Sequence, residues 1–161
     1  MLNVKTGYTL IEVLVGLAII SLLFTVGYAG YRDFAKRQVL NNAYEELKIN
    51  LTFARQQALA GEKTSGSYTC QGNFQGYRLN FTFVSQSGPS YSLAIRCTTY
   101  SPSIRTVPLP SGITFSSSGP AGVTFNAIAQ GTDLTSDLVL TLSQTTGGSR
   151  PITITKQGTI K

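Results

Sequence analysis

The sequence contains no histidine and only two cysteines among its 161 residues. Without histidine, the chain cannot assemble a Ser-His-Asp or Cys-His catalytic arrangement. Two cysteines alone also fall short of the four ligands that a structural zinc site needs. We therefore expect a protein that is not an enzyme and that uses neither a cofactor nor a metal.

Charged side chains are also scarce, because Asp, Glu, Lys and Arg together make up 12% of the chain. The usual share in a soluble globular domain is about 25%. The first thirty residues contain only Lys5 and Glu12, and charges become frequent from Arg32 onward. Beyond residue 62 the composition changes again, to Ser, Thr, Gly and Tyr. The chain therefore divides into an apolar zone, a charged zone and a Ser/Thr/Gly-rich zone.

The apolar zone covers residues 8–31 and is long enough to cross a membrane as a helix, which takes about 20 apolar residues. It is too long for the apolar core of a cleaved signal peptide, about 7–15 residues. Lys5 lies on one side of this zone, and Arg32, Lys36 and Arg37 lie on the other. Charge alone therefore does not decide which side of the membrane the rest of the chain occupies.

The charged zone, residues 32–60, has the pattern of an amphipathic helix. It contains no Gly or Pro, and Gly61 follows at a position where a helix would end. Nothing between Thr9 and Ala60 requires a break, so the simplest prediction is one helix of about 50 residues. Apolar side chains recur every three or four residues and form one face: Leu40, Ala43, Tyr44, Leu47, Leu51, Ala54 and Ala58.

The third zone, residues 61–161, is typical of β-strands. Two hairpins are predicted, GYRLNFTFV with YSLAIRCTTY and DLVLTLS with RPITITK, each across a turn cluster. Two further short β runs lie within GITFSSSGPAGVTFNAI, and GTIK ends the chain as a short strand. One face of the resulting antiparallel sheet needs an apolar cover, which the helical face from Leu40 to Ala58 supplies. The predicted fold class is α+β.

Both cysteines, Cys70 and Cys97, lie in the strand-rich zone. A cysteine pair in a body of low charge is typical of a disulfide formed in an oxidising compartment. The alternative is a pair of buried free thiols in a cytosolic protein. A disulfide would place the third zone outside the cytoplasm.

The stretch GYTLIEVLVGLAII resembles the cleavage and methylation motif of type IV pilins and their relatives. The resemblance implies a leader peptide, residues 1–7, removed after Gly7 by a prepilin peptidase on the cytoplasmic side. The new amino terminus, Tyr8, would then be N-methylated, and Glu12 would be the fifth mature residue. Tyr8 departs from the more usual Phe, and the apolar helix lacks the Pro that many pilins carry.

Further along, LKINLTFARQQALAGEKTSGSYTC resembles the helix end and first strand of the FimT and pseudopilin-H group. VTFNAIAQGT and PITITKQGTIK resemble paired strands of the same group. The resemblance implies a pilin fold, in which a long N-terminal helix packs on an antiparallel sheet. Its segments would be a leader (1–7), an apolar half-helix for membrane or filament core (8–31), an amphipathic half-helix (32–60) and a β-rich head (61–161).

The function implied is that of a structural subunit of a type IV pilus or pilus-like filament. Such a subunit is held in the cytoplasmic membrane by one span with its head outside, and then moves to the cell surface. Its partners would be copies of itself or other pilins in a helical filament, the prepilin peptidase, a membrane assembly platform and lipid. Alternatives are a minor pilin that binds DNA during uptake, a type II secretion pseudopilin, and an unrelated single-span protein with an exported binding module.

Glu12 is a carboxylate at the edge of an apolar run, where burial in a membrane costs up to about 2.5–3.5 kcal/mol. The resemblance implies that in a filament it faces the amino terminus of a neighbouring subunit. Pairing with the ammonium of that neighbour's Tyr8 would remove the cost and set the axial register of assembly. The alternative is a glutamate that only reaches the lipid headgroups.

A DNA-binding role would need clustered cations. The tail of the FimT type is similar to Gly-Arg-x-Arg, whereas this chain ends Gly158-Thr-Ile-Lys161. Folding could still gather Arg150, Lys156 and Lys161 on the terminal strands; the alternative is a mildly basic solvated surface. Asp133 and Asp137 are candidate Ca²⁺ ligands, or simply polar loop residues.

Overall fold

The structure is a computed structural model that describes residues 7–65, 67–86, 88–128, 131–145 and 148–161, with the backbone alone at residues 26, 27, 29, 64 and 65. Residues 1–6 of the predicted leader lie outside this description. The chain separates into two compact units, Met1–Gln38 and Val39–Lys161. Each unit is described by itself below.

One helix, α1, runs from Leu10 to Ala60 over 51 residues, which confirms the predicted single helix. It ends in a Schellman motif, because the Glu62 N–H donates to the Gln57 carbonyl and the Gly61 N–H donates to the Ala58 carbonyl, both at 3.2 Å. Gly61 has φ +67°, a conformation that glycine adopts without strain. The glycine therefore stops the helix where the sequence predicts.

The N-terminal unit consists of the first part of α1, and its apolar side chains are open to the surroundings. The large apolar side chains from Leu10 to Phe24 are at least 50% exposed. The hydroxyls of Ser21 and Thr25 bond within the helix itself: Ser21 donates to the Ala18 carbonyl at 2.8 Å and Thr25 donates to the Ser21 carbonyl at 2.6 Å. These polar groups therefore need no water, which suits an apolar environment.

In the second unit, the remainder of α1 supplies one wall of the hydrophobic core. The predicted apolar face is confirmed, since Leu40, Ala43, Leu47, Leu51, Ala54 and Ala58 are all buried. Tyr44, the remaining member of the predicted face, is partly buried against them.

The second unit continues in strands, of which those in the described residues are β1 Thr64–Ser65, β2 Tyr68–Thr69, β3 Phe74–Thr82, β4 Ser90–Cys97, β5 Ser103–Pro108, β6 Ile113–Ser117, β7 Gly122–Asn126, β8 Leu138–Gln144 and β9 Ser149–Ile154. They form antiparallel sheets in the orders β5-β4-β3-β7 and β6-β8-β9, besides the small pair β1-β2. Both predicted hairpins, β3-β4 and β8-β9, are confirmed. The short terminal strand is present as a bridge between Ile154 and Ile160.

The prediction of one sheet is wrong. Strands β6 and β7 are close in sequence but join different sheets, because β7 pairs with β3 and β6 pairs with β8. The segments VTFNAIAQGT and PITITKQGTIK are not paired strands either, since β7 and β9 also belong to different sheets. The two segments are still joined by hydrogen bonds, because the N–H and hydroxyl of Thr132 donate to the Lys156 carbonyl, at 2.8 and 3.0 Å.

The core of the second unit lies between the helical face and the inner faces of both larger sheets. In β8, the predicted inward row of Leu138, Leu140 and Leu142 is 0–1% exposed. In β3, the alternate residues Tyr77, Leu79 and Phe81 are buried in the same cluster. This unit therefore encloses an apolar core of its own.

Candidate functional site

The proposed cleavage point lies in a non-helical segment just before α1. Gly7, Tyr8 and Thr9 are not helical, and Tyr8 is 84% exposed. Apart from Gly7 itself and its two chain neighbours, no described residue has an atom within 4 Å of the position that a Cβ on Gly7 would occupy. Because Gly7 has no side chain, a protease active site can approach the Gly7–Tyr8 peptide bond closely.

Glu12 occupies the third position of the helix, where it belongs to a capping arrangement. The Glu12 N–H donates to the Thr9 hydroxyl at 3.3 Å and to the Thr9 carbonyl at 3.1 Å. Thr9 is thus the N-cap, and Thr-x-x-Glu is the sequence form of a capping box. A carboxylate in the first turn also interacts favourably with the positive end of the helix dipole. The sequence analysis missed this local role, although the Thr9-Leu-Ile-Glu12 spacing carries the signal.

The Glu12 carboxylate remains available for a further partner. Its side chain is exposed, and in the part of the chain that the structure describes it has no hydrogen-bond or ion-pair partner. Cleavage after Gly7 would create an ammonium on Tyr8, close to the positive end of the helix dipole, where a cation is disfavoured. A carboxylate from the same or a neighbouring chain would compensate that charge.

The helix around these groups has the length and composition of a membrane span. A window of 18 residues within α1 has a mean hydropathy of 2.4, and none of that window is buried.

Cys70 and Cys97 form a disulfide in the structure, with their Cα atoms 5.8 Å apart. Cys70 follows β2 and Cys97 ends β4, so the bond ties the segment after the helix to the four-stranded sheet. Backbone contacts reinforce it, since the Cys70 N–H donates to the Lys63 carbonyl at 2.9 Å and the Thr98 N–H donates to the Asn73 carbonyl at 3.1 Å.

A buried polar cluster that the sequence analysis missed connects the helix to β4 and β5. Asn50 is 5% exposed on the otherwise apolar face of α1. Its amide nitrogen donates to the Tyr91 hydroxyl at 2.7 Å, and its carbonyl oxygen accepts a hydrogen bond from the Arg105 guanidinium. Burial of the phenol raises the pKa of Tyr91 to about 12. The cluster fixes the edge strand β5 against the helix.

The three cations of the terminal segment do not lie on one face. Arg150, in β9, donates to the Asn41 side chain at 3.2 Å and shares a sheet face with Ile152 and Ile154. Lys161 exchanges two backbone bonds with Thr153, at 2.9 and 3.1 Å, so it lies on the Thr153 face, opposite to Arg150.

Lys156 follows β9 and is held through its backbone, because its N–H donates to the Asp137 carboxylate at 3.2 Å. The other calcium candidate, Asp133, accepts the Thr124 N–H at 2.7 Å and pairs with Arg78 at 3.6 Å. Among the described residues no group of three or more His, Cys, Asp or Glu could hold a metal ion. Both aspartates therefore order loops.

Comparison with known proteins identifies the N-terminal motif and the fold. Residues 2–28 match the family described as the prokaryotic N-terminal methylation motif. The crystal structure of the type IV minor pilin FimU of Pseudomonas aeruginosa (strain PAO1) has the same fold. The TM-score is 0.52 and the sequence identity is 16%, over 75% of this chain and 90% of that chain. No curated protein matches the sequence.

Proposed function

We propose that this chain, which is type IV pilin-like in its N-terminal motif and its fold, is a structural subunit of a type IV pilus or pilus-like filament. A subunit of this kind waits in the cytoplasmic membrane with its head outside and is then assembled into the filament. The proposed segments remain the leader (1–7), the core half-helix (8–31), the amphipathic half-helix (32–60) and the head (61–161).

The observation that carries this proposal is the exposed apolar half of α1 behind the methylation motif. Large side chains such as Leu17 and Phe24 are 59% and 74% exposed, and the hydroxyls of Ser21 and Thr25 bond within the helix. Such a surface is stable only beside lipid or beside other apolar helices. Both environments occur in the life of a pilin, first in the membrane and then in the filament core.

Processing by a prepilin peptidase is the first step of the proposed cycle. The non-helical Gly7–Tyr8 bond suits cleavage, and the exposed position of Tyr8 leaves its new amine open to methylation. The leader contains Lys5 and ends at Gly7, so its removal also removes a charge from the cytoplasmic side.

Glu12 would then direct assembly. The Glu12 N–H is bonded to the Thr9 cap, but the carboxylate has no ionic partner among the described residues, so it can pair with the Tyr8 ammonium of a neighbouring subunit. In an apolar filament core an unpaired charge is costly, and a paired charge is favoured only where the two groups meet. The pair therefore sets the axial register without performing acid–base chemistry.

Within the filament, a minor subunit is favoured over the bulk subunit by the likeness to FimU, which is a minor pilin. A DNA-uptake role has little support, because its candidate cations are scattered: Arg150 and Lys161 lie on opposite sheet faces. A pseudopilin of type II secretion would share the motif and the helix. A pilus subunit and a pseudopilin are therefore distinguished only by the kind of filament in which the chain is found.

Intact-mass analysis of sheared surface filaments tests the proposal. The expected species begins at N-methylated Tyr8 and carries the Cys70–Cys97 disulfide, at a small fraction of the major pilin. A Gly7→Val variant, which blocks approach to the cleaved bond, should stay in the membrane at full length and be missing from filaments. Filaments containing chains that retain Met1 would contradict the proposed processing, and a chain that dominates the filament mass would contradict the minor role.

A further inference from the structure

A polar cleft of about 490 Å³ opens on the head where β3, β4 and β7 meet. Its walls include Phe74, Gln75, Arg96, Ile128 and Asp133. The volume falls in the range of small-molecule sites, about 300–1,000 Å³. None of the groups assigned above to processing, assembly or the disulfide lines this cleft.

A β-bulge shapes one wall of the cleft. The register between β3 and β4 shifts between Phe74 and Gly76, so Gln75 is an extra residue opposite Arg96. The bulge brings the Gln75 side chain beside Arg96, whose Nε donates to the Gln75 Oε1 at 3.3 Å. Gly76 has φ +143°, and a Cβ there would collide with the Phe125 carbonyl, so only glycine fits. Bulges of this kind commonly redirect a side chain beside a functional site.

The charges in the cleft are unbalanced. Asp133 is paired with Arg78, with an Nη1–Oδ2 distance of 3.6 Å, and it also accepts the Thr124 N–H. Arg96 is exposed, and its only partner among the described residues is the neutral Gln75 amide. The outer nitrogens of Arg96 therefore remain available, in the planar arrangement that binds a carboxylate with two hydrogen bonds.

Apolar groups form part of the rim. The Phe74 ring is partly buried against Tyr77, with ring centroids 5.8 Å apart. Ile128 is 76% exposed and has φ +56°, which is uncommon for a β-branched residue. The outer edge of β7 is already occupied, because Asn126 N–H donates to the Gly131 carbonyl and Asp133 N–H to the Thr124 carbonyl. A peptide strand therefore cannot add to this edge, and the cleft must recognise its ligand through side chains.

We propose that this cleft binds an acidic sugar, a ligand with several hydroxyls and a single carboxylate. Arg96 takes the carboxylate, Gln75 and the free lone pairs of Asp133 bond hydroxyls, and Phe74 and Ile128 contact the C–H face of the ring. Asp133 on the facing wall repels a second negative charge, which disfavours nucleic acid and phosphate. The site would give the head an adhesive role at a cell or mucus surface, in addition to its structural role.

Calorimetric titration of the full chain in detergent micelles tests the site and needs no filament. The probes are galacturonate, glucuronate and N-acetylneuraminate, with their methyl esters, inorganic phosphate and a short single-stranded DNA. At least one acid should bind saturably. Its ester, which keeps the hydroxyls but not the charge, should have an affinity at least about tenfold lower. Arg96→Gln should lower the affinity for the acid by about tenfold or more and leave the affinity for the ester unchanged.

Lys63→Gln is the matched control, because it removes an exposed cation outside the cleft and should leave the affinity unchanged. Gln75→Ala, which keeps the bulge backbone, should lower the affinity for the acid by about threefold. This variant replaces Arg96→Gln as the test if Arg96→Gln does not fold. The proposal is overturned if no acid binds, if the ester binds as well as the acid, if Arg96→Gln binds like wild type, or if phosphate or DNA binds more tightly.

Discussion

Two leucines of the same helix show how differently the two units are stabilised. Leu17 lies in the N-terminal unit and is 59% exposed, whereas Leu47 lies in the second unit and is 0% exposed. The second unit buries the apolar face of its helical part against its own sheets, but the apolar residues of the N-terminal unit have no such cover within the described chain. Burial of apolar side chains stabilises a helix, so the N-terminal part needs a cover from outside the described chain and the second part does not.

This contrast predicts that changes in the head alter folding and that changes in the N-terminal unit alter assembly. The largest stability effect should come from the disulfide. Cys97→Ser should lower the free energy of unfolding of the head by about 3.5 kcal/mol, because an open loop between residues 27 apart in sequence gains chain entropy in the unfolded state. Denaturant titration measures the change.

Dithiothreitol provides the control for that variant. It should destabilise the wild-type head to about the level of Cys97→Ser and leave the variant unchanged. Two free thiols found by labelling the unfolded, unreduced wild-type chain would refute the bond.

A matched pair of leucine truncations tests the contrast itself. Leu47→Ala should cost the head about 3 kcal/mol, within the 2–5 kcal/mol typical of buried leucines. Leu17→Ala, the same change on an exposed position of the same helix, should leave the unfolding of the head unmoved. Thermal denaturation of both variants in micelles decides the question, and equal shifts would mean that the two units fold as one.

The polar cluster on the helix should have a smaller effect. Asn50→Ala leaves the Tyr91 hydroxyl and the Arg105 guanidinium without their shared partner, at a cost of about 2 kcal/mol. Gln56→Ala, an exposed position in the same helix, is the matched control and should cost close to nothing. If both variants unfold at the same denaturant concentration, the cluster does not fix β5 to the helix.

One further effect, a loss of stability, appears only in alkali. The pKa of Tyr91 is raised to about 12 by burial, against an unfolded value of about 10. Between these values the unfolded chain releases the phenolic proton while the folded chain keeps it, so stability present below pH 10 falls as the pH rises. Melting temperatures from pH 9 to 12 should decline less steeply for Tyr91→Phe, and parallel curves would exclude this origin.

Local patterns in the sequence predict the helix and both hairpins. The three- and four-residue spacing from Leu40 to Ala58 fixes the buried face, and Gly61 fixes the end of the helix. The strands of each predicted hairpin are neighbours in sequence, so turn residues between them specify the pairing.

Pairings between distant segments could not be predicted in this way. Strand β5 is an edge strand that contains Pro108, and its apolar and polar residues alternate little. The division of β6 and β7 between two sheets depends on their contacts with β8 and β3. Asn50 interrupts an apolar face, and only the fold brings Tyr91 and Arg105 to it.

In the candidate site, too, local groupings of residues can be predicted from the sequence, whereas groupings that depend on the fold cannot. A contiguous motif indicates Gly7, Tyr8 and Glu12, and the Thr9 cap adds a local reason for the acidic residue. The grouping of Arg150, Lys156 and Lys161 depends on sheet faces, which sequence order does not reveal, and the structure places Arg150 and Lys161 apart.

The most direct test of the proposed assembly is to measure how much of the Glu12→Gln variant is present in sheared surface filaments, in cells that make no wild-type copy of this chain. Glutamine is also accepted at this position of a capping box, so the change removes the charge and keeps the start of the helix. Glu45→Gln, at an exposed position of the amphipathic half-helix, is the matched control. Blots confirm that leader cleavage and the membrane level of each variant match those of the wild type.

We expect the amount of Glu12→Gln in filaments to fall by about tenfold or more, because a neighbour's ammonium left unpaired in an apolar core costs about 3–5 kcal/mol. The melting temperature of the head should stay at the wild-type value, and Glu45→Gln should enter filaments normally. A wild-type amount of Glu12→Gln in the filaments would contradict the proposal, since apolar contacts alone would then set the register.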